Sequence, residues 1–265
     1  MKHWMWAFVW SVSTLSLAAP EPGLYPGGLA RIALPDGVES ATFKGLPVWI
    51  QNGVAYVGIP LDEKPGASGV KTDRGDWLPF QIQDRGYPTQ HIQLANRQQV
   101  SPNTQNLKRI RREASEQANW YRRFSPWMPE FPFALPAQGR VSGEFGRRRV
   151  FNGQPRRPHS GIDIAAPTGT PVLAPSAGQV IGVGDYFFNG KTLFLDHGQG
   201  LISMFCHLSE IDAAVGDWAK RGDPVAKIGS TGRSTGPHLH WTVSLNNARI
   251  EPHLFMPKLS ELPRK

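Results

Sequence analysis

The sequence predicts a mainly β protein built from antiparallel sheets. Two observations carry this reading. From Leu135 onward, short apolar runs of strand length alternate with glycine-rich turns. Earlier, Asn52-Gly53 separates the β-prone runs 48–51 and 54–57, and both residues tolerate the positive φ that a two-residue hairpin turn requires. One stretch, 101–124, departs from this pattern and has helical spacing.

The elements follow in order. Residues 1–19 have the form of a secretory signal: Lys2 and His3 open it, and an apolar run too short to span a membrane follows. Small residues then precede a cleavage point after Ala18 or Ala19. No cysteine follows that point, which argues against lipid attachment. Residues 20–100 read as an N-terminal β domain. Ala30, Ile32 and Leu34 alternate with Arg31 and Ala33, and Phe80, Ile82, Ile92 and Leu94 suggest further strands around an Arg85-Gly86 turn. Residues 101–134 hold a basic helix and a proline-rich linker. Ser101 is positioned to cap the helix and Pro102 to occupy its first turn. Leu107, Ile110, Ala114 and Tyr121 fall on one side, while Lys108, Arg109, Arg111, Arg112, Arg122 and Arg123 make the helix basic. Three prolines within 125–132 predict a stiff, extended connection. Residues 135–258 form the second β unit, with strands expected at 171–174, 178–183, 191–196, 201–205 and 224–228. Residues 259–265 are a tail. The triplets Arg74-Gly75-Asp76 and Arg221-Gly222-Asp223 read as turns.

The composition narrows the function. The 29 Lys and Arg residues exceed the 21 Asp and Glu, giving a formal charge of +8. Such a balance favours anionic partners, but no nucleic-acid motif accompanies it and the export signal opposes that class. The single cysteine, Cys206, excludes an intrachain disulfide and reads as a core residue.

The chemistry concentrates in two phrases, Pro158-His159-Ser160-Gly161-Ile162-Asp163 and Gly236-Pro237-His238-Leu239-His240-Trp241. On a strand, His238 and His240 share a face, and Leu239 and Trp241 share the other. Two imidazoles and one carboxylate from these phrases make a three-ligand set suited to zinc, with a fourth position open. One imidazole is then left over, and His207 is a further spare. His3, His91, His197 and His253 carry no such context. No His-Glu-x-x-His helix is present, so a thermolysin-type zinc site is excluded.

These phrases, with Phe205-Cys206-His207-Leu208, Gly143-Glu144-Phe145-Gly146 and Gly229-Ser230-Thr231-Gly232, resemble the lysostaphin/LytM-type zinc endopeptidases over about residues 135–256. The resemblance implies a LytM-type catalytic domain with its site in a groove across the sheet. It implies His159, Asp163 and His240 as ligands of one zinc ion, and His207 and His238 as catalytic histidines that do not bind it. Asn152 lies where some members carry a metal-capping residue; it is not counted as a ligand. Tyr186 could line the groove, whereas Trp241 should face the core. Arg147, Arg148, Arg149, Arg156 and Arg157 read either as a solvated loop or as partners for substrate carboxylates. The expected function is zinc-dependent hydrolysis of peptide cross-links in bacterial peptidoglycan, at the bond from D-alanine to diaminopimelate, in the periplasm. No stable membrane anchor is expected after signal cleavage, and no protein partner is indicated. The competing reading is a non-catalytic wall-binding or amidase-activating module. The N-terminal domain is expected to cover the groove and hold the enzyme latent.

Overall fold

The computed structural model describes residues 19–257. Apart from Ala19, the expected signal segment lies outside these residues, as does the tail at 259–265. Twenty strands, one α-helix and two short 3-10 helices occur among the described residues, so the mainly β expectation holds.

The N-terminal strands are β1 (Leu29–Ala33), β2 (Ala41–Phe43), β3 (Leu46–Pro47), β4 (Trp49–Gln51), β5 (Val54–Gly58), β6 (Gly66–Thr72) and β7 (Trp77–Ile82). They form two small antiparallel sheets, β1-β5-β4 and β3-β2-β6-β7. The β4–β5 hairpin turns at Asn52 and Gly53, with φ of 52° and 71°, as the sequence predicts. Both Arg-Gly-Asp triplets lie at turns. The sheet β1-β5-β4 is covered on both faces. Ala30, Ala55 and Val57 pack into a local core with Phe43 and Ile82, whereas Leu29, Trp49 and Tyr56 belong to the main core of the C-terminal half. Asn246 continues this junction. Its Oδ1 accepts from Gly58 N at 2.7 Å and its Nδ2 donates to Gly58 O at 3.1 Å.

Strand β8 (Thr89–Ile92) pairs in parallel with a later strand, β10, and so lies against the C-terminal half. Helix α1 spans Thr104–Tyr121. Its cap is Asn103, whose Oδ1 accepts from Asn106 N at 2.9 Å, rather than Ser101. The helix's expected apolar side does not face the core as a whole. Tyr121 is buried against Phe194, at 5.4 Å between rings, and Trp120 rests on Gly182. Leu107, Ile110 and Ala114 instead line a cleft. Polar contacts tie the helix down. Glu113 accepts from Phe187 N at 2.8 Å, Glu116 from the Tyr186 hydroxyl at 2.9 Å, and Gln117 from Asn189 Nδ2 at 3.1 Å.

The proline-rich segment after α1 is packed rather than free. Phe133 is fully buried, and its ring lies 5.5 Å from both Phe131 and Phe255. Ser125 donates to Asp196.

The remaining strands are β9 (Arg140–Gly143), β10 (Arg148–Phe151), β11 (Gln154–Arg156), β12 (Ile162–Ala165), β13 (Pro171–Leu173), β14 (Gly178–Tyr186) and β15 (Gly190–Asp196). They continue with β16 (Leu201–Ile211), β17 (Trp218–Ala219), β18 (Pro224–Ile228), β19 (His238–Leu245) and β20 (Ala248–Ile250). The main sheet runs β17-β14-β15-β16-β19-β12-β9. Strands β16, β19 and β12 are thus adjacent, and the histidine-bearing phrases meet at their ends. Cys206 is buried in a small cluster with Phe194, Ile202 and Met204, in keeping with its reading as a core residue.

His197 is a buried structural residue. Its Nδ1–H donates to Ala177 O at 2.8 Å, and its Nε2 accepts from the Ser203 hydroxyl at 2.8 Å. Ser203 Oγ in turn accepts from Trp241 Nε1 at 3.2 Å. The network is complete with a neutral ring, and burial pushes the His197 pKa from 6.5 down to about 4. Unfolding releases the ring to water, so the unfolded chain binds more protons between these values. The contribution of His197 is therefore present above pH 6.5 and is lost as the pH falls towards 4, by about 3 kcal/mol over that window. Denaturant titrations at pH 7 and pH 4.5 should show this loss. The pH dependence should be shallower in His197→Gln, and an unchanged slope would exclude His197 as its source.

Candidate metal centre and its cleft

Three side chains converge at one point. His159 precedes β12, Asp163 lies on β12, and His240 lies directly opposite Asp163 on β19. His159 Nε2 is 2.9 Å from Asp163 Oδ1, His240 Nδ1 is 2.8 Å from the same oxygen, and the two nitrogens are 2.9 Å apart. Among the described residues this is the cluster of ligating groups suited to a metal.

The outer nitrogens settle the tautomers. His159 Nδ1 lies 2.8 Å from Glu144 O, an acceptor, so it carries the proton and Nε2 is left with a lone pair. His240 Nε2 lies 3.0 Å from Thr242 Oγ1, a hydroxyl able to accept its proton, and in that tautomer Nδ1 keeps its lone pair. Burial keeps His240 neutral by pushing its pKa down to about 4, against the opposing pull of Asp163. Two imidazole lone pairs and a carboxylate oxygen thus point at one another with no proton between them. A cation satisfies all three, and two nitrogens with one oxygen are a donor set that zinc accepts while keeping one position open.

Two glycines make this approach possible. A Cβ at Gly161 would strike the backbone oxygen of Trp241, so Gly161 lets the start of β12 reach β19. A Cβ at Gly143 would collide with Asp163 Oδ2. On that side the carboxylate is held by Arg149, whose Nη2 donates to Oδ2 at 2.9 Å. Oδ1 is therefore left to the two histidines.

His207 and His238 stand beside the triad. Their rings are 4.7 Å apart, and His207 is 6.1 Å from His240. His207 Nδ1–H donates to Thr231 O and His238 Nδ1–H to Gly236 O, each at 2.8 Å. Both rings therefore turn an unprotonated Nε2 away from the backbone. Burial, with His238 and His240 close by, pushes His207 down to about 3. His207 also has a φ of 61° within β16, where a bulge interrupts the register. Strain of this kind in a buried polar residue is held in place by the surrounding structure. Here that support includes the Thr231 contact and a bond from His207 N to Asn189 O.

All five residues singled out in the sequence therefore meet in one place. His159, His207 and His240 line a cleft of about 560 Å³. One wall is α1, through Leu107, Ile110 and Ala114; another is basic, through Arg149, Arg156, Arg157 and Arg233. Arg148, Arg149 and Arg156 belong to the β10–β11 hairpin, not to a solvated loop. Tyr186 lines the cleft, and Trp241 is fully buried in the core. Asn152 takes no part in the cluster; its amide group bonds the backbone of Leu94 instead. Sequence reasoning missed Arg233 and the Thr242 and Glu144 contacts. Arg233 carries no local signal, because the rings it meets, Phe151 and Phe188, come from distant segments. The other two depend on tertiary packing.

The Gly143 geometry yields a test. In Gly143→Ala, the new methyl must displace the Asp163 carboxylate. Affinity for a divalent metal should fall about 10- to 100-fold, measured by chelator competition, with the fold retained by circular dichroism. Unchanged affinity would show that Gly143 does not govern the placement of Asp163.

Comparison with known proteins agrees with the geometry. The sequence profile described as peptidase family M23 matches residues 157–252. A Neisseria meningitidis protein named DD-carboxypeptidase/endopeptidase Mpg is 38% identical over 113 residues, which cover 43% of this chain and 26% of that one. The peptidoglycan DD-endopeptidase ShyA of Vibrio cholerae is 31% identical over 135 residues, covering 50% of this chain and 31% of that one. The chain thus spans less than a third of the length of these curated relatives. A solved Pseudomonas aeruginosa structure assigned to peptidase M23 matches far more broadly. It is 42% identical, with a TM-score of 0.73, over 91% of this chain and 96% of that one. A likeness that runs through both halves, together with the ligand geometry of the C-terminal half, places the chain in peptidase family M23.

Proposed function

We propose that this protein is a zinc-dependent endopeptidase that hydrolyses peptide cross-links of bacterial peptidoglycan, at the bond from D-alanine to diaminopimelate. One observation carries the reading: His159, Asp163 and His240 aim three lone pairs at a common point, and two further imidazoles with free Nε2 atoms stand beside it. The activities in the names of the Mpg and ShyA relatives supply the substrate class. The secretory pattern at 1–19 supports action in the periplasm.

In this reading His159, Asp163 and His240 would hold the zinc ion. What such an ion supplies is Lewis acidity and a lowered pKa for water, towards about 7. The rest of the chemistry belongs to the chain. Peptide hydrolysis needs a base that takes a proton from water and an acid that returns it to the leaving amine. Nε2 of His207 and Nε2 of His238 both stand beside the cluster for these steps, and burial keeps His207 neutral. Either imidazole, once protonated, can also donate to the developing oxyanion. The backbone carbonyls of Thr231 and Gly236 fix both rings, so no reorientation is needed as the proton moves. The site is also shielded: His159 is 1% exposed and His207 8%.

Digestion of purified cross-linked peptidoglycan, with mass spectrometry of the products, tests the assignment. The metal-loaded protein should convert dimeric to monomeric peptides, and a chelator should abolish this. His159→Ala should lose both metal and activity. His207→Ala and His238→Ala should keep stoichiometric metal while turnover falls about 10²- to 10⁴-fold. Full activity in His159→Ala would sink the metal assignment. Binding of peptidoglycan without cleavage by the metal-loaded protein would favour the wall-binding role instead.

A further inference from the structure

The basic wall of the cleft is not neutralised. Arg149 meets Asp163, but its Nε is buried without a partner. Arg233 is half-buried and forms no ion pair among the described residues. Its guanidinium lies between two rings, 4.6 Å from the centroid of Phe151 and 4.3 Å from that of Phe188. Its single hydrogen bond is a long one, from Nη1 to Gln99 O at 3.3 Å. Burial, with Arg149 and Arg156 nearby, pushes Arg233 down to about 10, so it remains charged at neutral pH. The other carboxylate in the cleft, Glu113, is already taken by Arg109 and by Phe187 N.

A half-buried guanidinium set against two aromatic rings, with like charges as neighbours and no acid paired to it, is organised for an anion. We propose that Arg233, with Arg149, forms a subsite for a carboxylate carried by the substrate next to the scissile bond. The inference rests on the endopeptidase reading and narrows it. Arg149 touches the far oxygen of Asp163, so an anion bound here lies beside the proposed metal ligands. In a diaminopimelate cross-link, the carbon bearing the scissile nitrogen also bears a carboxylate. The subsite therefore selects acidic acceptor residues over amidated or neutral ones. The phenylalanines preset the guanidinium, so little order has to be gained on binding.

The test uses two cross-linked peptides that differ only at that group, free carboxylate or primary amide, with the scissile amide replaced by an uncleavable ketomethylene. Calorimetry on the metal-loaded protein should show the acid binding about tenfold or more tighter than the amide. In Arg233→Gln the ratio should fall to within about twofold, and Arg233→Lys should restore part of it. Equal binding of both peptides by the unaltered protein overturns the proposal without recourse to any variant. So does an undiminished ratio in Arg233→Gln that retains full metal content and its melting temperature. Cleavage of the parent amide peptides is read separately. Selective binding of the acid with no cleavage would uphold the subsite and reject the hydrolytic reading.

Discussion

The antiparallel pairing of β12 with β19 is the constraint on which the site depends. In this register Asp163 faces His240 and Ile162 faces Trp241. Side chains alternate along each strand, so a slip of one residue would send His240 into the core and Trp241 into the cleft. The register is held from the core side. Trp241 is fully buried and donates to Ser203, which lies on the adjacent strand β16 and is engaged by His197. A buried, fully satisfied polar network tolerates no such slip, because each misplaced donor would be left unpaired. The face that carries no chemistry thus fixes the position of the face that does.

The same logic extends to the N-terminal half. Leu29, Trp49 and Tyr56 contribute to the main core, and β8 lies beside β10. Strand β10 carries Arg149, and Arg149 holds Asp163 Oδ2. Continuous contacts therefore run from the first half of the chain to a proposed metal ligand. Gln99 adds a second route: its Nε2 donates to Gly232 O at 2.7 Å, in the loop whose Thr231 orients His207. Residues before Leu135 thus help to build the cleft, and Leu107, Ile110 and Ala114 form one of its walls.

Much of this was legible in the sequence, and the reasons differ by feature. Strand positions in the second half followed from alternating apolar residues between glycine turns, and Asn52-Gly53 marked its hairpin, because these are local properties. The five site residues were legible because motif spacing carries them. What escaped were features created by distant segments meeting. Leu107, Ile110, Ala114 and Tyr121 share one side of α1, yet of the four only Tyr121 joins a buried core cluster; periodicity records which residues share a face and not what that face meets. The helix start was misplaced by competition among adjacent capping residues, which Asn103 wins through its bond from Asn106 N. The proline-rich stretch looked like a spacer, but Phe131 and Phe133 draw it into the core. Arg233 was overlooked because nothing local distinguishes a buried arginine from a solvated one.

The charge balance of the cleft bears on what can enter it. Four arginines line a space in which, among the described residues, Glu113 is the lining carboxylate, and one of the four, Arg149, holds Asp163. Asp163 is committed to the histidine cluster and Arg149, and Glu113 to Arg109. A bound dication would add to the positive field. In the open protein, water and counter-ions moderate that field, but a peptide filling the cleft displaces them. A neutral peptide would then leave the guanidiniums poorly solvated, whereas an acidic one replaces the lost solvation with charge-assisted hydrogen bonds. On the α1 wall Leu107, Ile110 and Ala114 are apolar, and Glu113 is already engaged by Arg109, so that wall offers an incoming acidic group no free partner. A proposed metal centre with arginines on one wall and apolar side chains on another would thereby favour one orientation of an acidic peptide before any bond is broken.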